Sequence, residues 1–268
     1  MLITDDFIML NIPKTASTFA RDVIKKIYRG EKETKLVKGM RKFGVELSPV
    51  KELLLPNIKK SYSNAVDQHG IYDQIPKKYL QTNRQIISVI RNPFSAWVSR
   101  YTFESWKKNQ FPERVLENKK HFPNYPNLSF EEYLECMKLE KKYILQGLEL
   151  KPGVELSGTS IQFLQIFCKN HKEAIQNIDH DFMENGFYEK YFPNVKFLKT
   201  ENINQDLYDY LLTVGFRKKE INWVLSEEKV RVSNKKPWQE FITSESKQQI
   251  IENEWLFFKL FPEYLETV

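Results

Sequence analysis

A short apolar run near the start of the chain gives way to a helical pattern. Residues 7–11 (Phe-Ile-Met-Leu-Asn) begin with four apolar side chains, a run too short for a helix and typical of a buried parallel strand. From Phe19 to Tyr28 the apolar side chains return at helical spacing. Hydroxyl residues suited to helix capping stand between the two patterns. The pattern therefore predicts a strand, a loop and a helix in succession.

The same succession returns further along the chain. Residues 85–90 (Gln-Ile-Ile-Ser-Val-Ile) are mostly β-branched and apolar, which predicts a strand. A helix is predicted from Phe94 to about Lys108, because Pro93 suits the first turn of a helix. Arg91 and Asn92 form the junction between this strand and this helix.

Other strands and helices are predicted in the rest of the chain. The predicted strands are 64–67 and 195–199, and the predicted helices are 77–81, 129–143, 206–214 and 244–260. Strands that alternate with helices predict an α/β fold, with a central mainly parallel sheet flanked by helices. Ligands of such sheets bind at the carboxyl ends of the strands, where both junctions described above fall.

The length of 268 residues fits one domain over 1–268. Residues 109–128 hold three prolines and many charges, so we predict a long surface connection there. Such a connection is either a substrate loop or a solvated insertion.

Composition narrows the classes of function. The chain carries 41 Lys+Arg against 35 Asp+Glu, and its net charge of +6 favours an anionic partner without naming one. Cys136 and Cys168 lack the number and spacing of a disulfide framework, zinc site or redox site, which predicts buried reduced thiols. No run approaches the roughly 18 apolar residues of a membrane span, and Asp5 and Asp6 stand where a signal peptide would be positive. We therefore expect a cytoplasmic protein without a transmembrane segment.

The loop between the first strand and helix has the features of an anion site. A strand that leads into a helix presents backbone N–H groups and the positive end of the helix dipole. Lys14 adds a mobile positive charge, and Thr15, Ser17 and Thr18 add hydroxyl donors. No glycine precedes residue 30, so the loop is not a Walker A motif. An ordinary capped helix with a solvated lysine would give the same local pattern.

Residues 13–19 (Pro-Lys-Thr-Ala-Ser-Thr-Phe) resemble the PKxGTTW loop of sulfotransferases that use 3′-phosphoadenosine-5′-phosphosulfate (PAPS). In that family the loop cradles the 5′-phosphosulfate. Ala16 stands where glycine is usual, and we interpret this change to mean that the backbone there avoids positive φ. The resemblance implies that the donor is bound by Pro13, Lys14, Thr15, Ala16, Ser17, Thr18 and Phe19.

Residues 91–101 resemble the second signature of the same family, RNPxDxxVSxY. There the arginine and the serine eight residues later grip the 3′-phosphate, which implies that role for Arg91 and Ser99. Ser99 lies about two helical turns past Arg91, and a planar guanidinium suits phosphate better than an ammonium group. Ser95 replaces the usual aspartate, which we interpret as a tolerated change. Two matching loops in the right order are more specific than either one alone.

Sulfuryl transfer to a hydroxyl or amine also needs a base that takes the proton of the acceptor. His69 follows a predicted strand and should face the ligand edge of the sheet, and the resemblance implies that it is this base. Asp67 stands where the family has a lysine, so Lys14 is expected to be the main stabiliser of the leaving group. A structural histidine is the alternative, with Glu104 and Glu113 as reserve bases. No cluster has metal-ligand spacing, so no required metal is predicted.

Residues 229–238 carry several cations ahead of a Pro-Trp pair. In relatives a basic segment of this kind folds over the nucleotide, which implies donor contacts from Arg231, Ser233, Lys235 and Lys236. A solvated basic loop is the alternative. Residues 199–203 resemble the YEdL segment of the family, in which we interpret Glu201 as structural.

These resemblances predict a PAPS-dependent sulfotransferase with a P-loop-NTPase-like architecture, which releases adenosine 3′,5′-bisphosphate (PAP) by in-line displacement. The acceptor is a small molecule, a carbohydrate or a lipid that the sequence does not identify. Nucleic acid is not expected as a partner, because the cations are dispersed among nearly as many acids. The alternatives are a P-loop-type small-molecule kinase and a non-catalytic nucleotide- or polyanion-binding module. The sequence predicts no oligomeric state.

Overall fold

The computed structural model describes residues 1–29, 49–56, 66–108, 112–228 and 236–266. Three of the predicted donor-binding residues, Arg231, Ser233 and Lys235, lie outside the described residues. The predicted strand at 64–67 is described only in its second half, Val66–Asp67.

The elements are numbered along the described residues. The strands are β1 (Leu2–Thr4), β2 (Phe7–Met9), β3 (Val50–Glu52), β4 (Leu55–Pro56), β5 (Val66–Asp67), β6 (Gln85–Ile90) and β7 (Val195–Lys199). The α-helices are α1 (Ser17–Arg29), α2 (Lys77–Leu80), α3 (Pro93–Phe103), α4 (Ser105–Lys108), α5 (Pro112–His121), α6 (Phe130–Leu145), α7 (Gly158–Phe167), α8 (His171–Asn177), α9 (Phe187–Tyr191), α10 (Ile203–Thr213), α11 (Lys218–Ile221), α12 (Ser244–Asn253), α13 (Trp255–Leu260) and α14 (Glu263–Glu266). Short 3₁₀ helices cover Tyr72–Gln74, Thr200–Asn202, Asn222–Ser226 and Trp238–Phe241.

The main sheet belongs to the first of two compact units, which comprises residues 1–91 and 192–230. Its strand order is β3-β1-β2-β6-β7. Strands β2, β6 and β7 run parallel, whereas β1 pairs antiparallel with both β2 and β3. The α/β prediction is confirmed, and its parallel part consists of the strands that lead into the predicted ligand loops. The antiparallel edge was not predicted, because three-residue strands carry too little pattern to recognise.

The core of the first unit determines where the loop before α1 is held. Phe19, Val23 and Ile24 of α1 are buried at helical spacing, in one cluster with Leu207 and Leu211 of α10. Burying each such side chain stabilises the fold by about 1.5–3 kcal/mol. Helix α1 is therefore anchored along one face, and its first turn is fixed next to the end of β2.

The second unit comprises residues 92–191 and 231–268 and is helical in its described residues. Aromatic side chains form much of its interior, for example Phe163, which packs edge-on against Phe257 with ring centroids 5.6 Å apart. Cys136 and Cys168 are buried free thiols, as predicted. Burial raises the pKa of the Cys136 thiol to about 12, so it stays protonated near neutral pH. Within the described residues, no helix has the length and apolar character needed to cross a membrane.

A fully buried carboxylate lies in the middle of the second unit. Glu254 accepts hydrogen bonds from Trp97 Nε1 and Ser157 Oγ at its Oε1, and from Ser160 Oγ at its Oε2, each at 2.8 Å. We call these four residues the Glu254 cluster. The cluster lies at the break between α12 and α13, which the sequence pattern predicted as one continuous helix over 244–260.

Two further predictions are corrected here. The predicted surface connection 109–128 contains helix α5, which has proline in its first turn, Glu113 near its start and Lys119 and Lys120 near its end. These are ordinary helix signals that complement the helix dipole, and the proline and charge content masked them. The predicted helix 94–108 breaks at Glu104, which adopts the left-handed conformation with φ 55°. The single domain over 1–268 stays a prediction.

Candidate active site

The loop between β2 and α1 has a strained backbone. Lys14 and Ala16 both adopt the left-handed conformation, with φ of 68° and 58°. The prediction that Ala16 avoids positive φ is therefore wrong. A side chain with a Cβ atom pays about 1–2 kcal/mol for this conformation, so the loop needs contacts that hold it in place.

Two of the three predicted hydroxyl donors of the loop are used inside it. Thr15 Oγ1 and Ser17 Oγ donate to the carbonyl of Ile12, at 3.0 and 3.1 Å. A hydroxyl group has one hydrogen, so neither side chain has a second one for an anion. Thr18 is the exposed member of the three, and the hydroxyl contacts with the donor stay a prediction.

Side chains that follow neighbouring strands hold two carbonyl groups of the loop. Arg91, directly after β6, donates from Nη1 to the Lys14 carbonyl at 3.2 Å. Thr200, directly after β7, donates from Oγ1 to the Thr15 carbonyl at 2.9 Å. Among the described residues, none accepts a hydrogen bond from the amides of residues 15–18. These amides and the N-terminus of the 13-residue helix α1 form a surface suited to an anion.

Lys14 and Phe19, at the two ends of this loop, differ in solvent exposure. Lys14 is half-buried, and so are Pro13 and Ala16. Phe19 is 2% exposed and belongs to the core of the first unit. The ring of Phe19 is therefore a packing group, and only its backbone amide remains for donor binding.

His69 is fixed in the first unit by the end of β2. Its Nδ1 lies 2.9 Å from the backbone oxygen of Asn11, and its backbone N–H donates to Asp67 Oδ1 at 2.7 Å. The Asn11 side chain donates from Nδ2 to the Gln68 carbonyl at 3.0 Å. A carbonyl only accepts hydrogen bonds, so Nδ1 carries a hydrogen, and in the neutral ring the lone pair is then on Nε2. That tautomer is the one that a general base needs.

Ser99 belongs to the second unit, on helix α3. The helix starts with a well-formed cap, because Asn92 Oδ1 accepts from the amides of Phe94 and Ser95 at 2.9 and 3.4 Å. Ser99 is 3% exposed, and its Oγ has no hydrogen-bond partner among the described residues. A buried hydroxyl without a partner costs free energy, which is common where a ligand supplies the missing contact. Lys236, the described member of the predicted basic segment, is exposed.

The reserve bases are in less suitable surroundings. Glu104 forms an ion pair with Lys107 at 2.7 Å, and Glu113 is exposed in the first turn of α5. The described residues contain no group of three His, Cys, Asp or Glu side chains that could hold a metal ion.

Sequence reasoning missed Asn11 and Thr200. Asn11 is the last residue of the predicted strand run 7–11, and a polar residue at that end of an apolar run is the signal that could have found it; in the structure its side chain is fully buried. Thr200 gave no local signal, because its hydrogen-bond partners are 185 and 110 residues away.

The comparisons with known proteins bear on the family of the chain. The family model described as sulfotransferase domain matches residues 4–250. No curated protein sequence matches the chain. Among solved structures, mouse sulfotransferase SULT7A1 complexed with PAP is similar, with 14% identity, a TM-score of 0.44, and coverage of 98% of this chain and 89% of that one. Since the family model spans both signature loops and most of the sequence, this chain belongs to the sulfotransferase domain family.

Proposed function

We propose that this protein transfers the sulfuryl group of PAPS to a hydroxyl or amine of an acceptor and releases PAP. The observation that carries the proposal is the loop of residues 13–19. Its amides at 15–18 have no acceptor among the described residues, and Lys14 lies in the same loop. In a member of the sulfotransferase family, this donor set fits the 5′-phosphosulfate.

By the family resemblance, Arg91 and Ser99 are the proposed contacts of the 3′-phosphate. Arg91 supplies a guanidinium for the 3′-phosphate, and Ser99 supplies a buried hydroxyl that has no partner among the described residues. By the family resemblance, Arg231, Ser233, Lys235 and Lys236 are the further proposed contacts of the donor. PAPS, when bound, supplies an activated sulfuryl group, and no metal is required.

The side chains of this chain move the proton and neutralise charge. His69 takes the proton of the acceptor at Nε2, because Nδ1 is already held by the Asn11 carbonyl. The same carbonyl stabilises the positive charge that the imidazole gains. Lys14 neutralises the negative charge that develops on the bridging oxygen of the leaving PAP group. Most of the rate enhancement then comes from positioning and electrostatics.

The family acts on small-molecule acceptors, and here carbohydrate, lipid and other small hydroxyl or amine compounds are all candidates. A cytoplasmic location and one sulfotransferase domain over 1–268 are part of the proposal. The alternatives make distinct predictions, because a kinase would prefer ATP and a non-catalytic module would bind nucleotide without transfer.

A thermal-shift comparison tests the donor. PAP should raise the melting temperature well above the effect of ATP or AMP at equal concentration, because only PAP carries the 3′-phosphate. A transfer assay from PAPS to phenol, sugar and lipid acceptors then compares wild type with His69→Ala and with the control His171→Ala. Loss of transfer in His69→Ala alone, with PAP binding kept, supports the base. An equal response to all three nucleotides would contradict the donor, and turnover by His69→Ala would contradict the base.

A further inference from the structure

Thr200 joins the first signature loop to the end of β6 through two backbone carbonyls. Its Oγ1 lies 2.9 Å from the Thr15 carbonyl and 2.8 Å from the Ile90 carbonyl. Ile90 is the last residue of β6, directly before Arg91, and Thr15 lies in the loop before α1. One hydroxyl hydrogen serves both carbonyls, so the side chain bridges the loop and the end of the strand. All of these residues belong to the first unit.

The hydrogen bond to the Thr15 carbonyl sets the direction of an amide. The peptide unit is planar, and in its trans form the C=O and N–H groups point in opposite directions. The Thr15 carbonyl shares its peptide plane with the amide of Ala16. When Thr200 holds that carbonyl, the Ala16 N–H is directed away from Thr200. The Lys14 carbonyl shares its peptide plane with the Thr15 N–H. Because the Arg91 guanidinium holds that carbonyl, the Thr15 N–H is directed away from Arg91.

The strain in the loop makes this hold necessary. Lys14 and Ala16 both have positive φ, and an isolated chain would relax such residues toward the common right-handed or extended regions. Relaxation would rotate the peptide planes on either side of Thr15 and scatter the directions of the amides. The Thr200 and Arg91 hydrogen bonds oppose that rotation.

We infer that Thr200 is a positioning residue that aims the Ala16 amide at the sulfuryl-bearing phosphate of the donor. This inference rests on the proposed function, because it assigns a target to the amide. Thr200 acts through the backbone of the loop and does not itself touch the donor. Its loss should weaken donor binding without changing the affinity for the acceptor.

The test compares Thr200→Val, which keeps the shape and loses the hydroxyl, with Thr200→Ser, which keeps the hydroxyl. Thr213→Val is the matched control, because Thr213 Oγ1 donates to the Tyr210 carbonyl within the same unit at 2.7 Å. We expect about tenfold weaker PAP binding for Thr200→Val, and wild-type binding for Thr200→Ser and Thr213→Val. With PAPS as donor, the KM for PAPS should rise and the KM for the acceptor should stay constant.

The controls separate this inference from the proposed function. If wild type binds PAP and a folded Thr200→Val binds it equally well, the positioning role is overturned. Equal losses in Thr200→Val and Thr213→Val would also overturn it, because the effect would then be general. If wild type itself fails to bind PAP, the proposed function fails. Circular dichroism checks folding. If Thr200→Val is unfolded, Thr200→Ala replaces it, because alanine also lacks the hydroxyl and adds no methyl group in its place. PAP binding by Thr200→Ala is then compared with wild type by the same criteria.

Discussion

The loop before α1 and the Glu254 cluster use hydrogen bonds in opposite ways. In the loop, side chains hold the carbonyls of Lys14 and Thr15, while the amides of residues 15–18 have no acceptor among the described residues. In the cluster, one buried carboxylate accepts from three donors, so donors and acceptor are matched. Backbone N–H groups without an acceptor can bind an anion. Buried donors that all have an acceptor instead stabilise the folded state.

The largest expected effect comes from breaking the Glu254 cluster. Glu254→Ala leaves Trp97, Ser157 and Ser160 as buried donors without their acceptor, so the free energy of unfolding should fall by about 3–5 kcal/mol. Urea denaturation measures this loss. Glu252→Ala is the control, because Glu252 is exposed near the end of α12, two residues before Glu254, and should change stability by less than about 0.5 kcal/mol. A loss below about 1 kcal/mol for Glu254→Ala would contradict a structural role for the cluster.

The pH dependence of stability is a smaller and more specific test of the same cluster. Burial raises the pKa of Glu254 above its ordinary value of 4.5, although its hydrogen bonds act in the opposite direction. A raised pKa means that the folded state holds the proton more tightly than the unfolded chain does. The contribution of this group to stability is therefore complete below pH 4.5 and is lost as the pH rises through the folded-state pKa.

Glu254→Gln isolates this contribution, because an amide stays neutral and still accepts from Trp97 and Ser157. Wild type should lose stability relative to Glu254→Gln as the pH is raised from about 4 to about 8. The difference between the two proteins is the quantity to measure by urea denaturation. Exposed carboxylates such as Glu173, whose pKa is lowered mainly by its hydrogen bond with Lys190, make the free energy of unfolding rise with pH. They do so equally in both proteins, so their contribution cancels in the difference. A difference that does not vary with pH would contradict a raised pKa in the folded state.

The parts of the fold that could be predicted are those whose bounds follow from the local pattern of apolar residues. Strands β6 and β7 have the predicted bounds. Strand β6 lies between β2 and β7 and is an apolar, β-branched run, whereas β7 lies at the edge of the sheet and also carries two lysines. The second signature loop follows β6, and the first follows β2, whose predicted run 7–11 is longer than the observed Phe7–Met9. The break of the last long helix at Glu254 was not predicted, because the local pattern continues through it, whereas the donors to Glu254 come from distant parts of the chain.

Within the site, chemistry was easier to predict than conformation. The resemblance picks out Lys14 and Arg91 by residue type, and the Arg91 guanidinium donates to the Lys14 carbonyl, while their contacts with the donor stay a prediction. The backbone at Ala16 was predicted wrongly, because local preference favours negative φ and only the long-range contacts of Arg91 and Thr200 oppose it. Sequence motifs therefore describe which groups are present, and the long-range hydrogen bonds decide how the loop presents its amides.

The smallest expected effect tests the strain in the loop directly. Ala16→Gly relieves the cost of a Cβ atom at φ 58°, so the free energy of unfolding should rise by about 0.5–1 kcal/mol even though glycine gains entropy in the unfolded chain. Ala20→Gly is the matched control, because Ala20 is buried inside α1 and the same change there should lower stability by about 1 kcal/mol. Urea denaturation of both variants gives the sign of each change. If Ala16→Gly destabilised the protein as much as Ala20→Gly, the loop would carry no strain for Thr200 and Arg91 to oppose, and its contrast with the Glu254 cluster would rest on hydrogen bonds alone.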